Sequence, residues 1–266
     1  MEGQKSQMRY QKGASLVSDT VISRLVGDVL VAFIGMIGWP LCRLLYNIKI
    51  ERIGWEKRLR LPSRAILVSN HCMPLDPVFH GLSILPRRTF FTLLEETCEA
   101  PVIGSLVRLL GGIPLPRNRK RLGDIESAVE YALSTRGLVH FYPEGECFLG
   151  NQDIFPFKAG AAFFAIKFGV PVVPIVTILK RDNGQKSKRI QVNVHMLEPI
   201  MPQTLLPKPI SSIDRDSVRE YPREMLSFAI KFTGEIHALM QAEIERSGGD
   251  KSLYKGPMPR IRGVND

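Results

Sequence analysis

The stretch SNHCMPLDPVF, residues 69–79, sets His71 and Asp76 five positions apart, beside Pro74 and Pro77 and directly after the apolar run AILV. An imidazole and a carboxylate can do acid–base chemistry when the chain turns them toward each other. The apolar run reads as a strand delivering His71 to the carboxyl edge of a sheet, and Pro74 with Asp76-Pro77 reads as the start of a helix that Asp76 caps. Strand end and helix start then face each other. In that geometry the carboxylate takes one imidazole N–H, fixes the tautomer and steadies the imidazolium, leaving the other nitrogen to remove a proton from an alcohol. That is two-thirds of a serine-hydrolase triad, with a substrate hydroxyl in place of the serine. The same spacing also fits a capped turn without chemistry. Cys72 is a nucleophile only if it shares the face of His71; neighbours on an extended segment point to opposite sides, so Cys72 is expected to pack.

Three further stretches carry chemistry. In GGIPLPRNRKR, residues 111–121, two glycines let the backbone approach a ligand, and Arg117, Arg119, Lys120 and Arg121 concentrate cationic donors suited to a phosphate. A solvated basic loop explains residues 119–121 as well. In LVHFYPEGECF an apolar strand ends in Pro143-Glu144-Gly145, where a carboxylate at the strand end could hold a substrate hydroxyl, pair with Arg117, or merely turn the chain. In FKAGAAFFAIKFGVPVVPI a helix of small residues precedes a buried strand, with Lys158 at the helix start facing the same edge.

The elements that must position these groups are legible from residue 48 on. Short apolar runs (NIKIERI, RAILVSN, RTFFTLL, GGIPLP, GLVHFYP, VPVVPIVTI, RIQVNVHML) alternate with helical patterns at 76–85, 101–110, 122–133 and 158–168. Strand alternating with helix means an α/β layer with a largely central sheet. A long amphipathic helix follows over 222–246, and residues 247–266 read as a flexible basic tail. The chain of 266 residues carries 36 Lys and Arg against 26 Asp and Glu, a net charge of +10, which favours phosphate-bearing partners. No nucleic-acid reading motif accompanies the charge. The 4 cysteines lie far apart and are expected as reduced thiols.

Ahead of this unit, residues 1–20 are polar and basic and expected to be flexible. Residues 21–47 form an apolar helical segment whose charge-free stretch, 29–42, covers roughly 21 Å against about 30 Å of bilayer hydrocarbon. Gly27, Gly35, Gly38 and Pro40 are expected to break it, so a re-entrant or in-plane hairpin fits better than a crossing. Basic residues on both sides keep both ends on the cytoplasmic face. A signal peptide would need a small-residue cleavage site, which is lacking, and a buried core helix has the same composition.

Taken in order, NHCMPLD, GGIPLPR, YPEG and VPVVP resemble the four motif blocks of the glycerolipid acyltransferases, the lysophospholipid (1-acylglycerol-3-phosphate type) family, over about residues 65–178. The resemblance implies a single catalytic α/β domain over 48–246, a central mixed sheet flanked by helices, with a membrane-associated helical segment before it. It implies His71 as general base with Asp76 as its partner, Arg117 as the ligand of the acceptor phosphate, and Glu144 with Gly145 in the acceptor site. The third block departs: the family pattern EGTRS reads EGECF here, so Glu146, Cys147 and Phe148 replace a hydroxyl, a basic residue and a second hydroxyl. Lys158 or Arg119 is then expected to supply the missing cation.

The reaction implied is transfer of a fatty acyl group from acyl-CoA or acyl carrier protein to a lysophospholipid hydroxyl at a membrane surface, 1-acylglycerol-3-phosphate being the expected acceptor. Backbone N–H groups near the helix start would hold the oxyanion; no metal or further cofactor is needed. Glycerol-3-phosphate or a lyso-aminolipid are the alternative acceptors. A rival of another class is a non-catalytic lipid-binding protein of the same fold. A lipase would need a G-x-S-x-G elbow, which is absent.

Overall fold

The computed structural model describes residues 15–17, 20–56, 60–100, 102–116, 121–181, 190–202 and 223–259. Seven strands form one sheet: β1 (Lys49–Ile53), β2 (Ala65–Ser69), β3 (Phe90–Leu94), β4 (Gly112–Leu115), β5 (Leu138–Phe141), β6 (Val172–Arg181) and β7 (Ile190–Leu197), in the order β1-β7-β6-β2-β5-β3-β4. Every pairing is parallel except β6 with β7. The central strands β2 and β5 are buried at every position, as continuous apolar runs in a parallel sheet must be when both faces are covered. Pro114 falls in β4, an edge strand, where a missing N–H costs no ladder bond.

Helices cover both faces. Those described are α1 (Val21–Tyr46), α2 (Asp76–Ser83), α3 (Glu95–Glu99), α4 (Ile103–Leu109), α5 (Leu122–Thr135), α6 (Gly160–Phe168) and α7 (Arg223–Arg246). One apolar layer joins Val129 and Leu133 of α5, Ala162 and Ile166 of α6, and Phe232, Ile236 and Met240 of α7 to the sheet. The other buries Phe79 and Leu82 of α2 with Trp39, Cys42 and Tyr46 of α1. This is the central mixed sheet flanked by helices that the alternation of patterns implies. The short α3, whose sequence EETCE has no apolar period, is not legible in the pattern.

Chain direction fixes where a ligand site can form. After β2 the chain crosses β5 to reach β3; after β5 it crosses β2 to reach β6. The two connections leave neighbouring strands in opposite directions, which opens a crevice at their carboxyl ends. His71 follows β2 and Tyr142 follows β5, so both lie at that crevice.

Three expectations about the flanks need correction. First, α1 is one continuous helix of 26 residues with Pro40 inside it, not a broken hairpin. Its stretch Leu25–Tyr46 is long and apolar enough to cross a membrane by length and composition. Yet it is fastened to the domain along its length. Gly27 abuts the Leu109 carbonyl, Asp28 pairs with Arg88, Gly35 meets Leu85, and Tyr46 sits edge-on to Phe79 at 5.6 Å. Its outer face leaves Leu25, Val29, Phe33, Met36 and Leu44 exposed. Second, within the leading segment read as flexible, Leu16 is 3% exposed and docked in the core. Third, the segment read as a flexible tail is ordered over 247–259, with Leu253 buried and Asp250 N donating to the Leu179 carbonyl. Backbone hydrogen bonding to the sheet and to residues 147–149 holds it in place, which a polar, glycine-rich composition does not disclose.

Candidate active site

The His71 ring donates its Nδ1–H to Asp76 Oδ2 at 2.9 Å. Asp76 Oδ2 also accepts the amides of Cys72 at 2.7 Å and Met73 at 2.8 Å. The carboxylate is wholly buried, so three donors on one oxygen are what keeps its charge tolerable. Asp76 is the first residue of α2 and makes no side-chain cap; it reaches back into the NHCMP turn instead. The capping expectation is therefore corrected, while the pairing with His71 stands. Cys72 is buried at 2% exposure and burial pushes its thiol well up, whereas the His71 side chain keeps 19% exposure. Among the described residues, His71 Nε2 has no hydrogen-bond partner.

Glu144 sits beneath this dyad at 7% exposure. Its Oε1 accepts the His71 amide at 2.9 Å and its Oε2 the Phe155 amide at 3.0 Å. Burial raises its pKa to about 7, against the lowering effect of those two amides. Both oxygens are thus engaged with the backbone, and Glu144 fixes the position of His71 rather than standing free in the cleft. Gly145 has φ +82, and a Cβ there would collide with the end of the Lys158 side chain, so Gly145 and Lys158 are neighbours. The Lys158 amide donates to the Pro143 carbonyl at 2.9 Å, which holds the start of α6 at the same edge. His71, Asp76, Glu144, Gly145 and Lys158 are therefore brought together. Arg117 and Arg119 lie outside the described residues.

Most backbone amides at the start of α2 are engaged within the fold, that of Leu75 having no partner among the described residues. The amides of Cys72 and Met73 are taken by Asp76, those of Asp76, Val78 and Phe79 by the Met73 and Leu75 carbonyls, and Pro74 and Pro77 have none. The altered third block is also built in firmly. Phe148 N donates to the His71 carbonyl at 2.8 Å and Gly150 N to the Cys72 carbonyl at 2.8 Å. Cys147 is buried, its thiol pushed up to about 12, and Phe148 packs on Phe155 with ring centroids 4.3 Å apart. From the other side, Met258 N donates to the Cys147 carbonyl at 2.7 Å and Lys255 N to that of Leu149 at 2.8 Å. Sequence reasoning missed this strap over the site. It also missed Tyr142, whose ring stacks on His71 at 4.2 Å; an aromatic directly before Pro-Glu-Gly was the available signal.

A histidine–aspartate pair at the switch point of a mostly parallel sheet is a geometry suited to acid–base chemistry on a substrate hydroxyl, and comparison with known proteins points to a class of protein. The Acyltransferase family model matches residues 50–178 of this chain. Over 186 residues it is 31% identical to the 1-acyl-sn-glycerol-3-phosphate acyltransferase alpha of Mus musculus, covering 66% of this chain and 63% of that protein. It is 30% identical to the 1-acyl-sn-glycerol-3-phosphate acyltransferase of Escherichia coli, covering 59% of this chain and 61% of that one. The chain thus spans somewhat over half of the length of the curated relatives it matches. In fold it resembles the crystal structure of the 1-acyl-sn-glycerophosphate (LPA) acyltransferase PlsC from Thermotoga maritima. The TM-score is 0.54 at 18% identity, over 83% of this chain and 80% of that one.

Proposed function

We propose that this protein transfers a fatty acyl group from a thioester, acyl-CoA or acyl carrier protein, to the free hydroxyl of 1-acylglycerol-3-phosphate. The observation that carries the reading is the His71–Asp76 pair at 2.9 Å, on a side chain that keeps 19% exposure and whose Nε2 has no hydrogen-bond partner among the described residues. His71 Nε2 takes the hydroxyl proton as the oxygen attacks the thioester carbonyl, and Asp76 stabilises the imidazolium that forms. When the tetrahedral intermediate collapses, the C–S bond breaks and the thiolate leaves with the proton from His71. No acyl-enzyme, metal or further cofactor enters this scheme.

Lys158, exposed and held beside Gly145, is the described cation suited to the acceptor's phosphate, with Arg117 as the further ligand that the family resemblance implies. The exposed apolar face of α1 lies in the plane of the cytoplasmic leaflet, and the net charge of +10 holds the domain on anionic lipid. In-plane rather than transmembrane placement is supported by the contacts from Gly27 to Tyr46, which a crossing helix would have to give up.

A second acceptor class has one observation in its favour. The third block has no basic side chain over 144–148 and gains Glu146, which suits a headgroup other than a phosphate monoester, such as that of a larger lysophospholipid or a lyso-aminolipid. Purified protein given labelled acyl-CoA or acyl carrier protein and a panel of lysolipids tests both readings. Ester formed by the wild type and lost in His71→Ala is the expected result. Silence with every acceptor and both donors would leave a lipid-binding protein of the same fold.

A further inference from the structure

Below the dyad lies a polar cluster that the mechanism leaves without work. Ser69 at the end of β2, His80 of α2, His140 of β5 and Thr177 of β6 are all 0% exposed, an unusual concentration of hydrogen-bonding groups at the centre of an apolar sheet. Tyr142 connects them to His71. Its ring stacks on the His71 ring at 4.2 Å and 27°, and on its other contacts it meets His140 at 4.8 Å, which in turn stacks on Phe91 at 4.9 Å. A column of rings thus runs from the dyad into the sheet.

The hydrogen bonds in the cluster have one consistent direction. His80 and His140 are neutral in the folded protein, burial having pushed both down to about 3. A neutral imidazole donates once, and each hydroxyl donates once. His140 Nε2 lies 2.6 Å from Ser69 Oγ, Ser69 bonds the Tyr142 hydroxyl, that hydroxyl lies 3.1 Å from His80 Nδ1, and His80 Nε2 lies 2.8 Å from Thr177 Oγ1. Placing the protons on Nε2 of both rings lets His140, Ser69, Tyr142 and His80 each donate to the next group, with Thr177 Oγ1 as the last acceptor. Among the described residues the lone pair of His140 Nδ1 and the hydroxyl proton of Thr177 are then left without a partner, whereas the reverse series would leave the His140 Nδ1–H buried beside Phe91 with no acceptor.

We infer that Tyr142 is a positioning residue for His71, with its ring as the platform and its hydroxyl held by a one-way series of hydrogen bonds from His140 through Ser69, Tyr142 and His80 to Thr177. The inference rests on the reading of His71 as the base. Asp76 fixes the imidazole at one edge only, and a single hydrogen bond leaves the ring free to tilt about the Nδ1–Oδ2 line. A flat surface against one face removes that freedom, so Nε2 keeps one direction. The same ring face favours the imidazolium that forms during transfer.

Two measurements test this. In steady-state kinetics, Tyr142→Leu is expected to lower kcat about 100-fold, the scale of a misplaced catalytic group, while KM stays within about threefold. Tyr142→Phe keeps the platform, and Ser69 Oγ, 3.2 Å from His80 Nδ1, can bond that nitrogen directly, so kcat is expected to stay within about tenfold. Equal losses in both variants, or wild-type kcat in Tyr142→Leu, overturn the proposal. Independently of turnover, NMR of 15N-histidine-labelled protein at neutral pH is expected to show His80 and His140 as Nε2–H tautomers. It should also show the His71 ring protons displaced upfield by Tyr142, an effect retained in Tyr142→Phe. A charged or Nδ1–H His80, or an unshifted His71, sinks it even if Tyr142→Leu does not fold. A wild type silent toward all acceptors with these signals intact would fail the functional reading and leave the geometry standing.

Discussion

His71 and His140 stand one strand apart at the same end of the sheet, and their surroundings make them different reagents. His71 has a carboxylate on Nδ1 and keeps 19% exposure; His140 has a serine hydroxyl on Nε2, no exposure and a pKa depressed to about 3 by burial. A third pair shows that a carboxylate partner is not sufficient. His195 of β7 lies 2.6 Å from Glu243 of α7, but that carboxylate is shared with Arg246 and both partners are buried, away from the switch point. Depth, partner and place in the topology together set His71 apart as the base of the proposed reaction.

The sharpest break of this comparison is at the dyad. His71→Ala is expected to lower kcat by about 1,000-fold or more, the upper range for losing a general base. Asp76→Asn is expected to cost about 100-fold, because a neutral amide stabilises the imidazolium poorly while it still accepts the turn amides. His140→Ala should leave far more activity than His71→Ala under the same acyl-transfer assay. Equal losses from the two histidines would remove the distinction drawn here.

How much of this was legible in the sequence follows from what each feature depends on. All seven strands show as short runs with turn residues between them, and β2 and β5, buried in the parallel sheet, write their environment into every position, whereas β1, KIERI, is mostly exposed at the edge. The dyad was legible because both residues sit in one turn, within reach of local geometry. Glu144 was legible as a group at the edge but not in its orientation: its partners, the amides of His71 and Phe155, are brought to it by tertiary folding. The continuity of α1 through Pro40 was illegible for the same reason, because Trp39, Cys42 and Tyr46 are held by the core on either side of the proline. The strap over residues 147–149 is backbone hydrogen bonding, which leaves almost no mark on side-chain pattern.

The two buried imidazoles also set how the fold responds to acid. Their folded pKa values, about 3, lie below the 6.5 of the free side chain, so between those values the unfolded chain binds more protons. Their contribution to stability is complete above pH 6.5 and is lost as the pH falls toward 3. His140→Leu removes one such slope. Urea unfolding at neutral and mildly acid pH is expected to show a smaller acid loss in the variant than in the wild type. Parallel curves would mean that His140 charges without disturbing the cluster.

The smallest effect separates the firm first block from the altered third. Lys158 is exposed, so water and salt screen whatever it holds, and an exposed charge contact is typically worth under about 1 kcal/mol. Lys158→Ala is therefore expected to raise KM for a phosphate-monoester acceptor by about threefold to fivefold, with kcat unchanged, and the difference should shrink at high salt. If Lys158 stands in for the basic residue that EGECF lacks, an acceptor without a free phosphate monoester should show no such change. An equal rise for both acceptors would assign Lys158 to holding Gly145 and the start of α6, and would move recognition of the headgroup elsewhere in the cleft.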